Sequence, residues 1–284
     1  MRARALVATL SLAAGRASAE APAELRSIEV SVVDAEGRPV AGLTRDEVAV
    51  VENGVAREVT AVSPDARPLA LTLLVDSSEP LGSLYRLHVV DAVAGFVARL
   101  PEGTRYSLWT TGDRPDKRLD FTDDRAAAAS ALKRVAPQGG NTLLDALVEA
   151  SRELAKREGE RTALVSVTGY GIEFSNYDRR SVVDLALKGG AVFYAVHFED
   201  VKGELEQRHD YDYVLTTLAE RSGGLHELTL SAMGLGPVLQ GIAAQLAGRY
   251  RVSYATLPEV KPDARIEVSV ARPGAKVRVA RRKG

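Results

Sequence analysis

Three short segments carry the side chains best suited to chemistry: VDSSEPL, with Asp76, Ser77, Ser78 and Glu79; QGGNTLLDAL, with Asn141 and Thr142; and TGYGIEFSN, from Thr168 to Asn176. One carboxylate and several hydroxyls form an oxygen donor set of the kind hard cations accept. Mg²⁺ wants about six oxygens in a tight octahedron, so with few protein ligands it keeps waters or borrows from a partner. The same residues have plainer uses: a carboxylate after a strand accepts hydrogen bonds from loop amides, and Ser or Thr ahead of a helix caps it. The third segment sets Tyr170, Phe174 and Tyr177 around Gly169 and Gly171. Aromatic side chains on an outward loop bring much contact area at small entropy cost, which makes them binding anchors. Tyr170, with Glu173 and Asn176, is the surface candidate for a protein partner, while Phe174 and Tyr177 are equally placed to pack beneath the loop.

Other chemistries find less support. There is no cysteine, which excludes disulfides, thiolate metal sites, iron–sulfur clusters and cysteine nucleophiles together. No GxSxG elbow, Walker phosphate loop or HExxH helix occurs. Gly169-Tyr170-Gly171 starts a dinucleotide fingerprint but lacks its final glycine; it keeps an enzyme or nucleotide-binding protein open as the alternative. His88, His197, His209 and His226 are scattered and read as surface or partly buried residues rather than general bases. Trp109 reads as a packing residue, and Asp113, Asp116 and Asp120 as a solvated turn with Asp113 in reach of the rim. The 37 basic and 38 acidic residues leave a net charge of −1, which supplies no field to hold nucleic acid.

The elements that must position these segments follow from hydrophobic period. Leu69 to Val75 is apolar on both faces and ends at Asp76, and Leu84, Leu87, Val90, Ala94 and Val97 follow at helical spacing. Strand patterns recur at 105–111, 163–167, 191–197 and 226–228, and helical ones at 123–135, 143–154, 181–188, 211–218 and 238–246. This alternation predicts an α/β fold over residues 66–249, a doubly wound, mostly parallel sheet covered on both faces. Ligands of such sheets bind beyond the carboxyl ends of the strands, where all three segments meet. Both chain ends are β. Ile28, Val30 and Val32 alternate with polar residues, as do Tyr250, Val252 and Tyr254, then Ile266, Val268 and Val270, then Val277 and Val279. Asn53-Gly54 suits a two-residue hairpin turn between strands at 48–51 and 55–62. Small one-faced sheets need a partner surface, which predicts a small β domain from residues 25–64 and 250–281 with the α/β domain inserted. Strands along the edges of the central sheet are the alternative.

This order of elements, with those segments at the strand ends, resembles a von Willebrand factor A (VWA) domain. The flanks VSVVDAEGRPVAGL, EVAVVENGV and IEVSVARPGAKVRV look like those around VWA-related domains of exported bacterial proteins. VWA domains carry a metal-ion-dependent adhesion site written DxSxS in the first loop, Thr in the second and Asp in the third. Asp76 and Ser78 match the first two letters, Pro80 replaces the second serine, Thr142 matches the threonine, and Gly169 stands where an acid is usual. The resemblance implies a degenerate site in which Asp76, Ser78 and Thr142 hold Mg²⁺ or Mn²⁺ weakly, Glu79 or Glu173 compensating only if the loops bend inward. It also implies a non-catalytic, adhesion-type module that binds a protein partner at this rim.

Residues 1–19 read as a secretory signal: Arg2 and Arg4, an apolar stretch from Ala5 to Ala14, then Ala17, Ser18 and Ala19 for a signal peptidase. The stretch falls short of the ~20 residues of a bilayer span. Cleavage leaves 34 basic against 38 acidic residues, a net of −4. The expected product is an exported protein, periplasmic or secreted, with no transmembrane segment. A third role, strand addition at an exposed edge of the β flanks, stays open.

Overall fold

A computed structural model describes residues 24–169, 171–199, 205–257 and 265–280. The leader-like segment 1–19 and Tyr170 lie outside the described residues. The N-terminal strands are β1 (Glu24–Val33), β2 (Val48–Glu52), β3 (Val55–Arg57) and β4 (Val59–Pro64). The central sheet contains β5 (Leu69–Val75), β6 (Arg105–Thr110), β7 (Asp116–Thr122), β8 (Arg161–Gly169), β9 (Val192–Phe198) and β10 (Leu225–Thr229), in the spatial order β10-β9-β8-β5-β6-β7. All neighbours run parallel except the β6–β7 pair.

Strand β5 is buried throughout because both of its faces are covered. Leu69, Leu71, Leu73 and Val75 enter one core, shared with the helical run α1 (Gly82–Leu84), a π-helical turn (Tyr85–Val89) and α2 (Val90–Ala98). Ala70 and Leu74 enter the opposite core, under α4 (Leu143–Leu154), α5 (Arg179–Lys188) and α6 (Leu205–Ser222). In α4 the side chains of Leu143, Leu147, Ala150 and Leu154 recur at helical spacing and all are buried on that side. Helices α3 (Ala127–Leu132) and α7 (Leu235–Ala247) complete the first face. The run Glu79–Ala98 is long and apolar enough to cross a membrane by length and composition. Its Tyr85, Val89, Val93, Phe96 and Val97 are buried in the core instead.

The terminal strands stay out of the central sheet. Strands β11 (Arg249–Thr256), β12 (Ile266–Val270) and β13 (Lys276–Ala280) join β1–β4 in two antiparallel sheets, β13-β1-β11-β4 and β12-β2-β3. Their inner faces share a core of Ile28, Val30, Val32, Val48, Val50, Tyr250, Val252 and Tyr254. Asn53 and Gly54 take φ of 53° and 80° in the turn that pairs Glu52 with Val55, the left-handed pair a tight hairpin requires. The strand expected over 55–62 is two strands, because the chain leaves one sheet for the other at Glu58. Asp116 and Asp120, expected in a solvated turn, lie on edge strand β7, whose charged side chains blunt the edge.

We propose that residues 66–249 are a folding unit inserted into the terminal β unit. Apart from Ala280 of β13, which joins the central core, the two have separate cores, and hydrogen bonds cross the seam: Ser31 Oγ donates to the Gln245 carbonyl at 3.0 Å and Arg278 Nη1 to the Gly224 carbonyl at 3.0 Å. A fragment spanning 66–249 should unfold cooperatively by circular dichroism, at a lower temperature than the full chain. A non-cooperative melt would show that the terminal sheets are part of the same unit.

Candidate functional site

The order β8-β5-β6 makes β5 the strand where the chain's path across the sheet reverses, and the loops leaving its carboxyl end and those of its neighbours diverge there. Asp76 follows β5 directly. Its Oδ1 accepts from Ser78 N at 2.8 Å, and its Oδ2 from Asn141 Nδ2 at 3.1 Å, Gly169 N at 3.1 Å and Thr168 Oγ1 at 3.2 Å. The carboxylate is 1% exposed. Burial pushes its carboxyl above the ordinary aspartate range, and the hydrogen bonds led by the one from Ser78 pull the other way.

Asn141 is the second-loop side chain on that carboxylate. One N–H pair serves two acceptors, Asp76 Oδ2 and Thr168 Oγ1 at 2.9 Å, while Asn141 Oδ1 accepts from Thr111 Oγ1 at 2.6 Å. Flipping the amide would set its carbonyl oxygen against Asp76, so the network fixes its orientation. Thr142, matched to the adhesion-site threonine, turns elsewhere: its Oγ1 donates to the Thr111 carbonyl at 2.9 Å. Nor do Thr142 and Ser78 cap the helical turns they precede through their side chains. Ser78 Oγ is buried without a hydrogen bond of proper geometry.

The third loop roofs this cluster. Asn141 N donates to the Ile172 carbonyl at 2.7 Å and Phe174 N to the Asn141 carbonyl at 2.7 Å, a parallel bridge between the second and third loops. A Cβ on Gly171 would stand 3.0 Å from Ser78 Oγ, so the loop backbone lies directly over that hydroxyl. At its far end the loop is tied to α4. Asp145 Oδ1 accepts from Asn176 N at 2.9 Å, its Oδ2 from Asn176 Nδ2 at 2.9 Å, and Asp145 N donates to Ser175 Oγ at 2.9 Å.

The candidate partner-binding residues separate accordingly. Tyr170 is outside the described residues. Asn176 holds the loop to Asp145, and Glu173 is turned inward: its Oε1 accepts from Ser175 N at 2.8 Å, beside the Tyr211 hydroxyl. Glu173 is held inward by the Ser175 amide rather than presented outward, whereas Asn176 is exposed while its side-chain amide bonds Asp145. Burial pushes the Glu173 carboxyl up to about 7, with the Ser175 hydrogen bond opposing. What the loop does present is Ile172, 45% exposed, and Phe174, 61% exposed. The Phe174 ring occupies the space a Cβ would need at Gly140, only 1.7 Å from its Cδ2. Tyr177 packs partly against the core, with the Arg152 guanidinium 5.8 Å from its ring centre. His197, the next-to-last residue of β9, is wholly buried, its ring 5.9 Å from His226 and 6.0 Å from Tyr211.

Residues 71–172, which run from the buried strand β5 through all three loops, match the family model described as von Willebrand factor type A domain. The chain carries a VWA domain. Among solved structures, it is similar to a von Willebrand factor type A protein from Catenulispora acidiphila, at 12% identity and TM-score 0.54, over 92% of this chain and 72% of that one. It is also similar to proximal thread matrix protein 1 of the mussel byssus, solved with a zinc-occupied MIDAS motif, at 19% identity and TM-score 0.52. That match covers 69% of this chain and 50% of the mussel protein. At such identities the likeness is one of fold. No curated protein matches the sequence significantly.

The VWA fold implies a divalent cation at the metal-ion-dependent adhesion site, and the residues present do not fit one. Asp76 is the only carboxylate hydrogen-bonded within the cluster of Asp76, Ser78, Asn141 and Thr168, and both of its oxygens already accept from protein donors. The inward-turned Glu173 accepts from Ser175 N and, with burial raising its carboxyl to about 7, is a poor anionic ligand. Among the described residues, no group of three or more His, Cys, Asp or Glu is placed to hold a metal. The cluster is also roofed, whereas an adhesion-type ion must be open to the partner that completes its shell.

A pH dependence follows from Glu173. Its folded value of about 7 lies above the ordinary 4.5, so the native state keeps a proton that the unfolded chain releases within that window. Folding therefore becomes less favourable as pH rises through it. Glu173→Gln should melt at about the wild-type temperature near pH 5 and progressively above it towards pH 8. Parallel melting curves across that range would show that the carboxyl ionises normally.

Proposed function

We propose that this chain is a non-catalytic interaction module that binds a protein partner at the carboxyl-end rim of its central sheet, through Ile172 and Phe174. VWA domains are typically protein-interaction modules. The observation that carries the reading is Phe174: an aromatic ring 61% exposed, yet backed by Gly140 and held by backbone bonds to Asn141 on the neighbouring loop. A side chain ordered before binding loses little entropy on binding, and aromatic anchors of this kind dominate interface energetics.

The reading leaves out the cation, because the Asp76 oxygens face protein donors. It sets aside a nucleotide because the Gly169 N–H that would cradle a phosphate points at Asp76. Tyr170, next in sequence to this rim, is part of the proposed surface. The leader-like pattern of residues 1–19 supports export to the periplasm or beyond.

Immobilised mature chain should capture one or a few proteins from an envelope extract of its own host. Phe174→Ser combined with Ile172→Ser should reduce that capture by about 30-fold, the size of a hot-spot loss. Leu25→Ser, which alters an exposed residue of β1 in the terminal sheets, should leave it unchanged. Equal capture by the folded double variant would end the proposal.

A further inference from the structure

We infer that the side-chain amide of Asn141 does in this domain what the adhesion-site scheme assigns to a divalent cation: it joins the first-loop carboxylate to the second and third loops. The geometry is specific. Asn141 is 0% exposed and both its N–H donors and its oxygen are engaged, with one N–H on Asp76, the other on the Thr168 hydroxyl, and its oxygen accepting from Thr111. Three strand ends, those of β5, β6 and β8, are thereby tied to one neutral side chain at the start of α4.

The arrangement excludes a cation by charge and by space. Mg²⁺ ligates oxygen at about 2.0–2.1 Å, so an ion bound to Asp76 Oδ2 would displace the amide hydrogen that Asn141 points at that oxygen. An amide also needs less from its surroundings. It neutralises no charge, but it supplies two oriented donors, and a single buried carboxylate with Ser78 N and Gly169 N beside it needs donors rather than a second full charge.

The interaction therefore predicts which single atom change opens a cation site. Asn141→Asp keeps the shape and replaces the donor by a carboxylate oxygen facing Asp76. Two buried carboxylates at hydrogen-bond distance repel, and a divalent cation relieves the repulsion. Thermal unfolding is measured in EDTA and in Mg²⁺, Mn²⁺ or Ca²⁺ for the full mature chain. The wild type should melt at one temperature in all four conditions. Asn141→Asp should melt lower in EDTA and rise by about 5 °C or more when a cation is well above its Kd. The added substitution Asp76→Asn should remove that rise. Asn141→Ser, which deletes the two N–H donors while keeping an oxygen, repeats the test with less disruption should the Asp variant not fold. A cation-induced rise in the wild type that Asp76→Asn abolishes would overturn the inference, as would folded Asn141→Asp and Asn141→Ser variants that ignore every cation. This readout is independent of any partner, so it stands or falls apart from the binding role of Phe174.

Discussion

A carboxylate buried where three strand ends converge must be stabilised locally or it destabilises the fold, because removing such a charge from water costs several kcal/mol even after relaxation. Asp76 meets that requirement with four donors drawn from three loops, and hydrogen bonds to a charged group contribute about 1.5–3 kcal/mol each. Every donor is also a constraint. Ser78 N fixes the turn after β5, Gly169 N and Thr168 fix the end of β8, and Asn141 fixes the start of α4. The rim loops are consequently tied to a common centre, and their mutual positions follow from the directions in which one carboxylate accepts hydrogen bonds.

The backbone adds a second layer of the same kind. Thr142 N donates to the Thr111 carbonyl, Asp113 N to Gly140, Glu79 N to Gly139 and Gln138 N to Ser77. Loops that usually carry motion are here cross-linked through their peptide groups, which explains how a segment as short as 171–174 lies flat over the cluster. Gly140 and Gly171 are glycines for that reason, since a Cβ at either would meet the roof or the floor of the cluster.

The architecture was legible where the physics is local or periodic. A seven-residue strand apolar on both faces has to be covered on both sides, and Asn53-Gly54 has few alternatives to a tight hairpin. Edge strand β7 was hidden because Asp116, Lys117, Arg118 and Asp120 make it look like a loop. At the site, the motif pointed to Thr142 and the fold uses Asn141. Asn141 lies in an extended bridge and Thr142 is the non-helical residue before α4, so their side chains leave the backbone on different sides, and a match of letters does not say which one turns inward. A signal was nonetheless present: with Pro80 and Gly169 in place of ligating residues, an amide beside Asp76 offers what a lone carboxylate needs. Phe174 was ambiguous for another reason. Its exposure depends on Gly140 and on the bridge to Asn141, both set by tertiary structure.

Exposure by itself does not mark Phe174 as functional, since Leu230 is 82% and Met233 75% exposed and scattered apolar residues are normal on protein surfaces. The difference lies in mechanical backing. Phe174 is seated on the Gly140 backbone, and its N–H donates to the backbone carbonyl of Asn141, whose side chain is itself locked onto Asp76. Its presentation is thus a consequence of the buried cluster: weakening the bond between Asn141 and Asp76 would release the loop as well as the carboxylate. In adhesion-type sites an ion supplies both rigidity and the partner's point of attachment. On the proposed reading the two tasks are divided here, rigidity falling to an amide beneath the loop and attachment to an aromatic ring above it, so that the surface offered to a partner would be apolar rather than cationic.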